Sequence, residues 1–135
     1  MKPDTAILVP LLFAFAMSSA TAADKVTTIP VTFAKGASTA TLKGSFAGYD
    51  SVQYTLSARA GQTMTVTTSG STNANFNVFK PGAVPGQSAA LGVGEGARWS
   101  GTLPATGTYT VQVYQMRASA RRGEKVNYAI TFAIR

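Results

Sequence analysis

Two short segments carry the side chains of this chain that are best suited to binding another molecule. The first is the tripeptide Gly-Tyr-Asp at 48–50, and the second is 115–121, where Arg117 and Arg121 lie four residues apart with only small residues between them. Guanidinium groups form paired, charge-assisted hydrogen bonds with carboxylates, and tyrosine adds ring area with one polar tip. These segments therefore favour recognition of an acidic pocket on a partner molecule.

The other reactive side chains argue against catalysis. The sequence has no histidine and no cysteine. Beyond residue 22 its carboxylates are those of Asp24, Asp50, Glu95 and Glu124. General acid and base catalysis usually needs histidine or a pair of carboxylates, no metal-ligand spacing is present, and no motif places a base beside a serine. We therefore predict that the protein is not an enzyme and needs no cofactor or metal.

The first 22 residues have the organisation of a cleavable signal peptide. Lys2 supplies a positive charge, residues 5–17 form an apolar core, and residues 20–22 (Ala-Thr-Ala) match the small-residue cleavage pattern. A membrane anchor is the alternative, but this core is shorter than the roughly 20 residues that span a bilayer, and Pro10 interrupts it. We expect a signal peptide at 1–22, a single mature domain at 23–135, no membrane span in the mature chain, and a periplasmic location.

The mature domain is basic. The chain has 12 Lys and Arg against 5 Asp and Glu, a net charge of +7, and removal of Lys2 with Asp4 leaves that charge unchanged. Most charges are dispersed, and one cluster stands out: Arg117, Arg121, Arg122 and Lys125. Such a protein could meet nucleic acid, anionic lipid or an acidic protein surface, and export argues against nucleic acid.

Alternation of apolar and polar residues predicts strands. In 51–58 every second residue is apolar, and the same period recurs at 109–113 and 128–134, with shorter versions elsewhere, the first around Val31 and Phe33. Turn-forming Gly and Pro residues separate these runs, and no convincing helical period follows the leader. The pattern predicts an all-β fold, an antiparallel, jelly-roll-like β-sandwich of about eight strands. If the last two strands are neighbours, residues 116–124 form a loop at one end of the sandwich.

Several short segments, taken in order, resemble the periplasmic inhibitors of g-type lysozyme from Gram-negative bacteria. They extend over almost the entire mature chain: 31–36, 44–50, 58–62, 103–109 and 115–121. Some of the strand and turn pieces also resemble the sandwich modules appended to secreted peptidases, whereas Gly-Tyr-Asp and the paired arginines distinguish the inhibitors. The resemblance implies a protein that binds g-type lysozyme and blocks its active-site cleft, with Tyr49, Asp50, Arg117 and Arg121 at the positions that meet the enzyme.

The same residues have structural interpretations. Tyr49 could pack over the end of the sandwich, and Asp50 could cap a turn, which is the interpretation we favour for Asp50. A run of basic residues is usually solvated, and with the resemblance we favour contact for Arg117 and Arg121 and solvation for Arg122. Trp99 could be a platform for sugars, but a single Trp in a strand is more often part of the core.

Two functions follow from the sequence. The first is a secreted inhibitor of g-type lysozyme that protects bacterial peptidoglycan. The alternative is a non-inhibitory sandwich module that binds anionic glycan or a cell-surface polymer, which fits the charge and the fold. The Gly- and Ala-rich segment 81–98 does not match the inhibitors, and it leaves open a second contact loop or a flexible connection.

Overall fold

The computed structural model describes residues 24–94 and 97–135, so the predicted signal peptide at 1–22 lies outside the described residues. The described part of the chain contains nine strands and one short helix. In chain order they are β1 (Val26–Pro30), β2 (Thr39–Ala47), β3 (Ser51–Ala58), β4 (Thr63–Gly70), β5 (Asn75–Phe79), β6 (Gly92–Val93), β7 (Arg98–Thr102), β8 (Gly107–Tyr114), α1 (Arg117–Arg121) and β9 (Lys125–Ile134).

The strands form two sheets that pack face to face. One sheet has the order β1-β3-β8-β5-β6 and the other has the order β2-β9-β4-β7. Neighbouring strands are antiparallel except β1, which runs parallel to β3. This arrangement confirms the predicted all-β sandwich. The described residues contain nine strands rather than about eight, because β6 is only two residues long and such a strand shows no period.

The core lies between the sheets and consists of the apolar positions of the alternating runs. The largest fully buried side chains are Tyr54, Tyr109, Phe76, Phe132, Leu56, Met64, Leu103, Ile130, Val66, Val78, Val111 and Val113. Burial of one such side chain stabilises a fold by about 1.5–3 kcal/mol. A core of this size explains how a chain without cysteine holds its sandwich together.

Two tyrosines join the sheets across the core. The hydroxyl groups of Tyr54, on β3, and Tyr128, on β9, are 2.7 Å apart. Tyr128 lies opposite Gly44 in the β2–β9 ladder, and a Cβ atom on Gly44 would collide with the Tyr128 ring and stand 2.8 Å from the Tyr54 hydroxyl. Burial raises the pKa of both phenols above the usual value. Gly44 is therefore a glycine because the Tyr128 ring occupies the space of a side chain.

Trp99 packs against the core and does not form a fully exposed platform for sugars. It is partly buried against the hydrophobic core. Its ring covers Gly92 on β6 and Gly101 on β7, where a Cβ atom would collide with the indole. The indole therefore fills the space at the edge where the two sheets approach each other, which agrees with the structural interpretation of this residue.

The connection between β8 and β9 differs from the predicted loop in one respect. It lies where the sequence placed it, at one end of the sandwich, but it contains α1. A five-residue helix is little more than one turn, too short for a 3.6-residue period to be visible in the sequence. No helix among the described residues has the length and hydropathy to cross a membrane.

Candidate functional site

The strand register brings the two candidate segments to the same end of the sandwich. Ala47, the last residue of β2, pairs with Lys125, the first residue of β9. Near the start of β3, Val52 pairs with Val113 at the end of β8. The β2–β3 turn and the β8–β9 connection therefore lie next to each other at this end of the sandwich, although 65 or more residues separate the two connections in sequence.

The β2–β3 turn is held by backbone hydrogen bonds. Gly48 has a φ of 58°, in the left-handed region that favours glycine, and its N–H donates to the carbonyl of Glu124 over 3.1 Å. The carboxylate of Asp50 accepts from the backbone N–H of Lys25 over 2.8 Å. Asp50 thus ties the residue before β1 to the turn, which is a structural role but differs from the local turn cap expected from the sequence. Tyr49, between them, has half of its surface exposed.

One buried glutamine connects the two segments. Gln115 is only 6 % exposed, and its Nε2 donates to the carbonyls of Gly48, over 3.0 Å, and Glu124, over 2.8 Å. Sequence reasoning noted Gln115 only as part of a motif. A signal was present, because Gln115 continues the inward-facing series of Val111 and Val113 and so places an amide where an apolar residue is expected. A buried polar group at such a position requires hydrogen-bond partners.

Helix α1 lies on the end of the sandwich, and two of its small residues face the protein interior. Ser119 and Ala120 are buried, and both the Ala120 N–H and the Ser119 hydroxyl donate to the carbonyl of Met116, over 2.9 and 3.2 Å. The small residues between the arginines let the helical turn approach the strands. Arg117 and Arg121 are both exposed and lie one turn apart, so their side chains extend from the same side of the helix.

The arginines of this cluster differ in their partners. Arg122 forms an ion pair with Glu124, with its Nε 2.6 Å from Oε2, and Asn73 donates to the other carboxylate oxygen of Glu124 over 3.1 Å. Within residues 24–94 and 97–135, Arg117 and Arg121 form no ion pair and no side-chain hydrogen bond. Two guanidinium groups are therefore available to a partner molecule, while the third is neutralised within the fold.

Exposed apolar side chains accompany the available arginines. Met116, directly before α1, is 58 % exposed, and Tyr49 is 50 % exposed. Large apolar side chains with that exposure beside charged groups are typical of binding surfaces. The described residues contain no group of three metal-ligating side chains. The exposed arginines and apolar side chains suit this end of the sandwich to recognition of an acidic cleft with partly apolar walls.

Comparisons with known proteins show which proteins this chain resembles. The family model of the bacterial pre-peptidase C-terminal domain matches residues 50–115, the part of the sandwich between the two recognition segments. The inhibitor of g-type lysozyme from Escherichia coli strain K12 is 32% identical over 126 residues, which cover 93% of this chain and 92% of that protein.

Two solved structures extend the likeness to the whole sandwich. The crystal structure of Aeromonas hydrophila PliG, a periplasmic lysozyme inhibitor of g-type lysozyme, is 63% identical with a TM-score of 0.83, and the match covers 84% of this chain and 100% of that one. The PliG structure from Salmonella Typhimurium, also a periplasmic inhibitor of g-type lysozyme, is 31% identical with a TM-score of 0.65, over 81% of this chain and 98% of that one.

Proposed function

The chain belongs to the family of periplasmic inhibitors of g-type lysozyme, and we propose that it inhibits that enzyme by placing Arg117, Arg121 and Tyr49 in the active-site cleft. Family membership favours an inhibitor over the alternative of a non-inhibitory glycan-binding module. It also places the protein in the periplasm and gives it a protein partner, g-type lysozyme.

The chemistry of the target explains the choice of arginine. A lysozyme cleaves a glycosidic bond with a carboxylic acid that protonates the leaving oxygen, and that acid works because its environment raises its pKa. A guanidinium group that contacts this carboxyl group would lower its pKa and keep it ionised. Arginine would therefore act in two ways, by occupying the space of the glycan and by removing the proton that the reaction requires.

The arrangement on α1 suits two adjacent contacts. Because Arg117 and Arg121 extend from one side of a helical turn, both guanidinium groups can enter the same cleft, and each can form bidentate hydrogen bonds with a carboxylate. The turn is held in place by the buried residues Ser119 and Ala120, and the Gln115 amide bonds the carbonyls of Gly48 and Glu124 beside it. Less conformational entropy is then lost on binding than for arginines on a free loop.

Tyr49 contributes from the neighbouring turn. Its ring is half exposed although the turn that carries it is fixed by Gly48 and Asp50 on either side. A rigidly held tyrosine supplies contact area at a small entropic cost. In this proposal Asp50 acts through Tyr49, because its carboxylate is already bonded to the Lys25 N–H, and it contributes by holding the turn.

The observation that carries the proposal is the contrast between Arg122, which is paired with Glu124, and Arg117 and Arg121, which have no ion-pair partner among residues 24–94 and 97–135. Inhibition constants against g-type lysozyme should therefore separate the three arginines. We expect Arg117→Ala and Arg121→Ala each to weaken inhibition by about 2 kcal/mol or more, roughly thirtyfold. Arg122→Ala is the matched control and should inhibit nearly as well as the parent protein. Parental inhibition by all three variants at unchanged melting temperatures would refute the mechanism.

Selectivity among lysozymes tests the function itself. In clearing assays on cell-wall suspensions, the mature chain should suppress g-type lysozyme and leave c-type and i-type lysozymes largely active. Retention on an anionic glycan column with no effect on any lysozyme would favour the alternative module instead.

A further inference from the structure

We propose a second binding site, a groove on the outer face of the five-stranded sheet that takes a short neutral oligosaccharide. The groove has a volume of about 510 Å³. Strands β3, β5 and β8 form its floor, the 48–50 turn forms one wall, and residues 86–90 contribute the other. Its volume is within the range of about 300–1,000 Å³ that small-molecule sites occupy. The proposal does not depend on the inhibition of lysozyme.

Two buried acceptors without a hydrogen-bond partner belong to residues of this groove. Among the described residues, the buried side-chain polar atoms without a hydrogen-bond partner are Asn77 Oδ1 and Gln115 Oε1, and both residues line the groove. An unsatisfied buried acceptor costs about 1–3 kcal/mol, so two at one place require an explanation. The terminal torsion of the Asn77 amide is soft, so a small rotation turns its oxygen towards a ligand, whereas the two hydrogen bonds of Nε2 hold the Gln115 amide in place. A ligand that satisfies the Asn77 oxygen carries hydrogen-bond donors, as the hydroxyl groups of a sugar do.

The groove also contains side chains that can donate hydrogen bonds to a ligand. Gln112 lies opposite Asn77 in the β5–β8 ladder, and its Nε2 is 3.4 Å from the hydroxyl oxygen of Ser51. That bond is long and is easily exchanged for a better one. The hydroxyl oxygen of Ser88 accepts from the Val84 N–H over 2.9 Å, which leaves the hydroxyl hydrogen available. The groove thus presents mixed donors and acceptors, as recognition of a polyhydroxylated ligand requires.

Aromatic rings and the local charge narrow the class of ligand. Tyr49 and Tyr114 both line the groove, and their rings offer apolar area to the carbon face of a sugar. The charged residue among its lining is an acid, Asp50, whereas the chain as a whole carries +7. A carboxylate at the edge disfavours anions. The groove is therefore suited to a neutral glycan, whereas the basic charge of the whole chain would by itself favour an anionic one.

The test is a titration of the ¹⁵N-labelled mature chain followed by NMR. The neutral probes are N-acetylchitotriose and maltotriose, and the anionic probe is trigalacturonate. At least one neutral probe should shift the amide resonances of β5, β8 and residues 86–90, with a dissociation constant of about 1 mM or lower. Trigalacturonate should leave these resonances unchanged. No groove shifts with either neutral probe, or groove shifts with trigalacturonate alone, would overturn the proposal.

Variants locate the site and distinguish its saccharide binding from lysozyme binding, although the two surfaces share Tyr49. Asn77→Leu and Gln112→Leu should each weaken saccharide binding by about tenfold, because each removes hydrogen bonds to the ligand. Gln53→Leu is the matched control, since Gln53 continues the same cross-strand row but does not line the groove. Lysozyme inhibition should be unchanged in all three variants. If both groove variants bind saccharide as well as the parent protein does, the site is wrong. The proposal is also wrong if the parent protein binds no saccharide and the groove variants lose lysozyme inhibition, because the groove would then be part of the protein interface.

Discussion

Replacement of Gln115 by leucine tests whether the two recognition segments act as one surface. The substitution keeps the approximate volume of the side chain and removes the two hydrogen bonds from Nε2 to the carbonyls of Gly48 and Glu124. Each such bond contributes about 1 kcal/mol net, and loss of the unpartnered Oε1 offsets part of the total. We therefore expect a loss of about 1–2 kcal/mol in the free energy of unfolding, with a decrease in Tm on the order of 5–10 °C.

The effect of this variant on inhibition should exceed its effect on folding. Without the shared amide, backbone contacts still join the 48–50 turn to the residues after α1, but the two segments gain freedom relative to each other, and the enzyme must then order them on binding. At a temperature where Gln115→Leu is fully folded, we expect inhibition of g-type lysozyme to weaken by about tenfold or more. Gln112→Leu, the same substitution on the outer face of β8, should inhibit like the parent. If Gln115→Leu also inhibits like the parent, the two segments are held in place by their backbone contacts alone, and our account of Gln115 is wrong.

Three further predictions follow from the core and the charges. Gly44→Ala should lower the free energy of unfolding, measured in urea, by about 2–3 kcal/mol, because the new methyl group meets the Tyr128 ring. The control Lys43→Ala, at an exposed position, should change it little. Equal stability of the two variants would contradict this packing. Burial raises the pKa of Tyr54 and Tyr128 in the folded protein. Their contribution to stability is therefore complete below pH about 10, the usual pKa of a tyrosine in an unfolded chain, and is lost as the pH rises above that value. A Tm that does not fall as the pH rises above about 10 would contradict the buried pair. Inhibition should weaken with added salt, mostly through the association rate, and an inhibition constant independent of salt would argue against an acidic cleft.

Periodicity was a sound guide to the long strands because each buries one face. The runs at 51–58, 109–113 and 128–134 became β3, β8 and β9, with their apolar residues in the core. Periodicity was a poor guide at the edge of the sheet. A strand was expected around Val31 and Phe33, but β1 ends at Pro30, and its five residues are mostly exposed, so no alternation marks them. Its parallel pairing with β3 depends on long-range contacts that no local pattern encodes.

The sequence predicted which residues belong to the candidate site, but it did not predict the hydrogen bonds and the ion pair that connect them. The sequence showed Arg117 and Arg121 four residues apart in a predicted loop, and only the structure, through α1, places them on the same side of a helical turn. The different state of Arg122 depends on its ion pair with Glu124, and the tie made by Gln115 depends on the register of β2 with β9. Both are tertiary contacts, and they become visible only when the two segments lie at the same end of the sandwich.

A double-mutant cycle across the complex tests the central claim most directly. The inhibitor variants are Arg117→Ala, Arg121→Ala and the control Arg122→Ala, and the enzyme variant has its general-acid carboxyl group replaced by an amide. Dissociation constants measured by calorimetry give the coupling energy of each pair without any need for enzyme activity. We predict a coupling of about 1.5 kcal/mol or more for at least one of Arg117 and Arg121. Arg122 should be additive within about 0.5 kcal/mol. Additivity for all three arginines would contradict the proposal that a guanidinium group of this inhibitor contacts the catalytic acid.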